Sequence, residues 1–347
     1  MITARGTAPA EQGHNMKVIL WLSGLQDEVE STNTISPEDF TLCALFIMGI
    51  VVKIVAAGVN PVDTYIRAGI FSYGPELPYT PGKDGAGIVH EVGEGVTKFK
   101  VGQRVFLCNR SLPKYGTYAE YAVVKEDEVF PLHDNLTFEQ GAALGIPYFT
   151  AYRALVIKTK CSADETLLIH GASGAVGLAA VQIGKHLGLT VFGTAGTEEG
   201  ISLVKKTGAD LVVNHKERNY LEKILEYTEN SGVNIILEML ANVNLDKDLD
   251  ILANRGRLAI VGSRGSVRID PRKMMMPEHE VYGVGLLNST KEEWAQSAEF
   301  IMKGNEEGWL KPVIDRTYPL EKACDAHRDI IHSSGAKGKL ILSVQEA

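Results

Sequence analysis

The sequence predicts an α/β protein in which a doubly wound parallel sheet follows a compact β-rich domain, and three observations carry that expectation. From Glu165 onward, short apolar runs alternate with amphipathic stretches, the pattern of repeated βα units. A glycine triplet, Gly171, Gly174 and Gly177, comes directly after the first of those runs. Upstream, residues 51–160 read as strand and turn material, punctuated by Pro78, Pro81, Gly82, Gly85, Gly87, Gly93, Gly95 and Gly102.

A chain of 347 residues exceeds the ~250–300 at which a single core stops growing, so two domains are expected. Charged residues at 22% and hydrophobic ones at 45% are the balance of a globular protein rather than a disordered one. The net charge of −8 argues against a general electrostatic grip on nucleic acid and favours small-molecule chemistry. Cys43, Cys108, Cys161 and Cys324 lie tens of residues apart with no C-x-x-C pair, which fits a reducing, cytoplasmic setting and neither a disulfide scaffold nor a zinc knuckle. Residues 1–15 lack an apolar signal core and read as a loose tail. The apolar run 40–52 ends at Lys53, short of the ~20 residues that span a bilayer, and reads as a buried strand or helix.

Taken in order, the candidate strands of the parallel sheet are 166–170, 190–195, 210–214, 234–240, 257–261 and 281–286, enough for a complete doubly wound sheet. Between the first two, Val176, Ala180, Ile183 and Leu187 recur at helical spacing and give one apolar face to lay on the sheet. Tyr220, Ile224 and Leu225 do the same for a later helix. Beyond the sheet, helices are expected over 291–303 and 319–333, and a last strand over 339–343. The expected division is 16–150 for the β-rich domain, 151–287 for the parallel sheet, and 288–347 returning to the first domain.

Gly171-Ala-Ser173-Gly174-Ala175-Val176-Gly177 is G-x-x-G-x-x-G, a variant of the Rossmann dinucleotide fingerprint, placed between a strand and a helix. Gly171 allows the tight turn, Gly174 lets the backbone approach a pyrophosphate, and Gly177 lets the helix sit close to the strand. The free amides at the helix start then face the anion. Roughly 20 residues on, where an acid would bind the ribose of NAD, the chain has Thr194-Ala-Gly196-Thr197. With no carboxylate there to repel a 2′-phosphate, NADPH is favoured, although Glu198 and Glu199 lie close by.

The segment Ala57-Gly-Val-Asn60-Pro61-Val-Asp-Thr-Tyr65-Ile-Arg67, the turn Pro81-Gly-Lys83-Asp84 and the glycine loop together resemble the zeta-crystallin and quinone oxidoreductase family of medium-chain dehydrogenase/reductases. The stretches 145–152, 193–200, 238–244 and 261–264 strengthen the resemblance, which runs from about Val51 to Val344. It implies a GroES-like catalytic domain, built from the N-terminal half plus the C-terminal tail, with the Rossmann domain inserted between. Residues 24–50 have no counterpart in that pattern. Carried over, Tyr65, Gly171, Ser173, Gly174, Ala175, Val176, Gly177, Gly196, His215, Asn244, Val261, Gly262, Ser263, Arg264, Val284, Gly285 and Leu286 are the expected cofactor contacts. His215 and Arg264, at carboxyl ends of strands, are the expected cations for a 2′-phosphate.

The zinc branch of the superfamily has cysteine in the first segment and histidine–glutamate in the glycine-rich turn, where this chain has Asn60 and Lys83-Asp84. Amide and ammonium groups do not replace thiolate and imidazole, so no metal is expected. The expected activity is NADPH-dependent reduction of quinones by hydride or electron transfer, with the Asn60 amide holding the nicotinamide or a substrate oxygen and Tyr65 lining the acceptor pocket. Reduction of activated alkenes is one alternative; an NADPH-stabilised structural or RNA-binding protein is another. A homodimer or homotetramer is expected.

Overall fold

The computed structural model describes residues 16–19, 32–35, 49–70, 74–110, 115–333 and 335–346. The expected tail, 1–15, and residues 40–48 of the apolar run lie outside them. Strands β1 (Met16–Ile19) and β2 (Thr32–Ile35) pair antiparallel. Then come β3 (Gly49–Val59), helix α1 (Pro61–Arg67), β4 (Asp84–Val92), β5 (Arg104–Cys108), β6 (Tyr121–Lys125), β7 (Val129–Pro131), and helices α2 (Phe138–Gly141) and α3 (Gly145–Tyr152). The second unit comprises β8 (Thr166–Ile169), α4 (Ala175–His186), β9 (Thr190–Ala195), α5 (Glu198–Thr207), β10 (Leu211–Asn214), α6 (Tyr220–Tyr227), β11 (Val233–Glu238), α7 (Ala241–Ile251), β12 (Leu252–Ile260), α8 (Arg272–Met275) and β13 (Glu280–Gly283). Helix α9 (Lys291–Glu306), β14 (Ile314–Pro319), α10 (Ala323–His332) and β15 (Lys339–Ser343) complete the chain.

The parallel sheet has six strands in the order β10-β9-β8-β11-β12-β13. That order reverses between β8 and β11, which opens a crevice at their carboxyl ends, and the glycine loop leaves β8 into this crevice. Leu167, Leu168, Ile169, Val191, Phe192, Ile235, Ile236 and Leu237 are buried on both faces, as a sheet covered by helices on both sides requires.

The other sheet has seven strands: β14-β15-β3-β4-β5-β7 with β6 also paired to β3. Its central strand β3 is almost wholly buried, and Ile50, Val52, Ile54, Val59, Val105, Leu107, Tyr118 and Leu342 pack in one core around it. Strand β15 pairs antiparallel with β3, so the C-terminal segment is a structural member of the N-terminal domain. The Rossmann sheet is thereby inserted into the GroES-like domain.

Two local expectations need correction. Residues 138–141 and 145–158 are helical rather than strand and turn: α3 continues as a π-type turn over Arg153–Lys158. Nearly every residue of that helix is buried, so it has no polar face and no amphipathic period to read. It also runs through the domain division expected at residue 150. The helix expected from 319 begins at Ala323, because Pro319 ends β14, an edge strand where a missing N–H costs the ladder nothing.

Candidate functional site

Helix α1 starts where β3 ends. Asn60 stands at its N-cap and Pro61 at the first helical position, where a missing N–H is harmless. The Asn60 backbone N–H donates to Asp63 Oδ2 at 2.9 Å. The Asn60 side chain is 3% exposed and fully engaged: Nδ2 donates to Asp84 Oδ2 at 2.9 Å, and Oδ1 accepts from Lys339 Nζ at 2.5 Å. The amide expected to hold a ligand therefore holds the protein's own polar core. Lys339 Nζ also donates to Asp84 Oδ2 at 2.7 Å, and Asp84 Oδ1 accepts the Ile146 N–H at 2.8 Å, satisfying the buried start of α3.

A second branch of this network runs outward. Arg67 Nη1 lies 3.3 Å from His327 Nδ1, and His327 Nε2 lies 3.1 Å from Tyr118 Oη, which lies 3.3 Å from Asp63 Oδ2. An arginine only donates, so His327 Nδ1 accepts, its Nε2–H donates to Tyr118, and the phenol donates to Asp63. Burial holds His327 down at about 3, hence neutral, and burial followed by the Asp84 charge raises Asp63 to about 6. Tyr65 is half-buried on the same short helix. A small cavity lined by Asp63, Tyr79, Thr80 and Lys83 adjoins the network.

In the parallel sheet, the sequence-predicted cofactor residues gather at the carboxyl ends of the strands. Gly171 has φ +60° and donates its N–H to Thr194 Oγ1 at 3.1 Å, which ties the turn to β9. Gly174 caps α4, and Ala175, Val176 and Gly177 form its first turn. A Cβ on Gly174 would meet nothing closer than 3.5 Å, so the loop presents an open backbone; on Gly177 it would fall 2.6 Å from Ala172 and Gly171. The Ser173 carbonyl accepts the Gly338 N–H at 2.9 Å, which joins the loop to the segment carrying Lys339.

Gly196 directly follows β9. A Cβ there would lie 2.7 Å from His215 Nε2 and 3.2 Å from Lys216 Cε, so two basic side chains flank the position of the missing acid. Glu198 and Glu199 are exposed in the first turn of α5, where the helix dipole favours them. Asn244 Nδ2 donates to Glu238 Oε1 at 3.2 Å at the end of β11. Val261, Gly262, Ser263 and Arg264 follow β12, and Val284, Gly285 and Leu286 follow β13. Arg264 Nη1 donates to the Ile331 carbonyl at 3.2 Å.

Sequence reading missed Lys339, Lys216 and the buried Asp63. Lys216 directly follows His215 and could have been named with it. A lysine opening an apolar strand, as in Lys339-Leu-Ile-Leu, is a weak signal, because its partners lie 255 and 279 positions away.

A GroES-like domain completed by its C-terminal strand, with a doubly wound nucleotide sheet set between, defines a medium-chain dehydrogenase/reductase. Zinc does not fit the donor set: Asn60 and Lys83 replace soft ligands, and Asp84 Oδ2 is already held by an ammonium. The family model described as alcohol dehydrogenase GroES-like domain matches residues 48–134, and that described as zinc-binding dehydrogenase matches 175–303. The chain is 54% identical over 293 residues to a quinone oxidoreductase of Homo sapiens, covering 84% of this chain and 88% of that protein. Among solved structures, an Escherichia coli quinone oxidoreductase complexed with NADPH superposes with TM-score 0.76 at 30% identity, covering 86% of this chain and 92% of the other. An NAD-dependent alcohol dehydrogenase superposes with TM-score 0.83 at 27% identity, covering 95% of this chain and 100% of the other, so backbone shape alone does not select the cofactor. The chain belongs to the quinone oxidoreductase family of zinc-independent medium-chain dehydrogenase/reductases.

Proposed function

We infer that this enzyme reduces quinones with NADPH and without a metal. The observation that carries the reading is the setting of Gly196: a position with no carboxylate, flanked by His215 and Lys216, in the crevice reached by the open backbone of Gly174. NADPH, when bound, supplies the reducing equivalents that a quinone accepts. The amides at the start of α4 would hold its pyrophosphate. We assign Ser173 to Val176, Gly196, His215, Asn244, Val261 to Arg264 and Val284 to Leu286 as its contacts, with Tyr65 facing the acceptor. Asn60 acts by position: its engaged amide fixes the floor between α1 and the glycine loop.

We take 16–150 with 288–347 as the catalytic unit and 151–287 as the nucleotide unit; the pairing of β15 with β3 supports this. Cys108 and Cys161 are free thiols, in keeping with a cytoplasmic protein. Among the described residues no helix is long and apolar enough to cross a membrane. The edge strand β13, close in sequence to Met275 and Met276 at 70% and 88% exposed, is a template for pairing with a second copy, which supports a homodimer or homotetramer.

Steady-state turnover on ortho- and para-quinones, enones and alcohols with each cofactor tests the assignment. Quinone reduction well above the rate of free NADPH supports it. Preferential enone turnover would reassign the acceptor, and tight NADPH binding with no turnover would leave a non-catalytic protein.

A further inference from the structure

A second group of ionisable side chains lies beneath the glycine loop, apart from Asn60 and Lys339. His170 immediately precedes Gly171, Glu238 ends the neighbouring β11, and Asp248 reaches them from α7. Glu238 and Asp248 are 0% exposed and His170 is 2% exposed. His170 Nε2 lies 2.8 Å from Asp248 Oδ1 and 3.7 Å from Glu238 Oε2. Glu238 Oε1 accepts the Leu240 N–H and the Asn244 amide. Glu238 Oε2 and Asp248 Oδ2 have no hydrogen-bond partner among the described residues.

Two buried carboxylates side by side do not both ionise, because each is desolvated and each repels the other. Oxygens of the two carboxyls lie within 4.8 Å of each other, and a single proton held by the pair removes one of the two buried charges. We propose that Glu238 and Asp248 form a dyad sharing one proton and that, through Glu238 Oε1, this dyad fixes the Asn244 amide against the cofactor. The proposal rests on the cofactor reading above.

The surroundings favour the proton. Burial raises both carboxyls, to about 7. His170, facing them from the end of β8, is lowered by its own burial and raised by Glu238, and its charge in turn opposes the rise at Glu238. Tyr220 of α6 faces the pair as a phenol that burial and the two acids raise. His215, beyond His170, is also lowered by burial, and Lys247 is the cation whose field reaches Asp248. Because both acids bind protons more tightly in the folded protein than outside it, the pair keeps at least one proton until pH rises through about 7 and loses it above that. Above that, a second negative charge develops beneath the pyrophosphate loop and opposes the cofactor.

The test is the dissociation constant from fluorescence titration between pH 6 and 9, with NADH in parallel with NADPH because a 2′-phosphate titrates in the same range. Wild type should bind both cofactors about tenfold more weakly at the alkaline end, the effect of one pKa unit of coupling. Glu238→Gln, which mimics the protonated acid, should flatten the profile. Asn244→Ala separates the two readings: if it leaves affinity unchanged, the cofactor assignment fails at Asn244. If it weakens binding while the wild-type NADH profile is flat, the dyad fails. Should Glu238→Gln not fold, the wild-type NADH profile still decides. A stoichiometric divalent metal removed by chelation together with the pH dependence would overturn the shared proton.

Discussion

Lys339 Nζ lies 2.7 Å from Asp84 Oδ2, with the lysine side chain 2% exposed and the aspartate 0%. This ion pair fastens the last strand of the chain to the start of β4, and through Asp84 Oδ1 to the first turn of α3. Removing one partner leaves a buried charge uncompensated, which costs about 3–5 kcal/mol. Lys339→Met should lower unfolding free energy by that amount in urea titration, and adding Asp84→Asn should recover part of it. A single variant as stable as wild type would show that the pair contributes nothing.

The same contact makes metal dispensable. With Asp84 Oδ2 occupied by an ammonium and an amide, prolonged dialysis against a strong chelator should leave quinone turnover unchanged. Stoichiometric zinc in the purified enzyme, with turnover that follows it, is the contrary result.

The glycine loop separates binding from folding. Gly174 has an ordinary φ of −76° and room for a Cβ, so Gly174→Val should melt within a few degrees of wild type, its stability changed by about 1 kcal/mol at most, yet lose detectable NADPH binding. Gly177 has no such room, and Gly177→Val should instead destabilise the fold by about 3 kcal/mol or more. Calorimetry with a binding titration on both variants reads the contrast. Unchanged affinity in Gly174→Val would place the nucleotide elsewhere.

Cofactor preference should reside at Gly196. A charge-assisted hydrogen bond contributes about 1.5–3 kcal/mol, so His215 or Lys216 on a 2′-phosphate gives roughly tenfold to hundredfold preference for NADPH in kcat/KM. Gly196→Asp should erase or invert that preference, since the new carboxylate would stand between these two side chains. Equal kcat/KM for both cofactors in wild type would refute the assignment.

What could be read along the chain was whatever neighbouring residues enforce together. The βα alternation, the glycine triplet, the missing acid at Gly196 and the final strand at 339–343 are local patterns that the structure keeps, although β12 begins at Leu252 rather than 257 and β13 ends at Gly283 rather than 286. The buried helix 145–152 escaped because a helix apolar all round has no face to betray it. Only tertiary structure could decide the polar core. Asn60 read as a free amide because its partners Asp84 and Lys339 are chosen by strand pairing and not by spacing. Nothing along the chain singles out Glu238 and Asp248, because desolvation is a property of the packed interior. Sequence specifies which groups are present; whether a charge is paired, orphaned or shared depends on what the fold brings within about 3 Å of it.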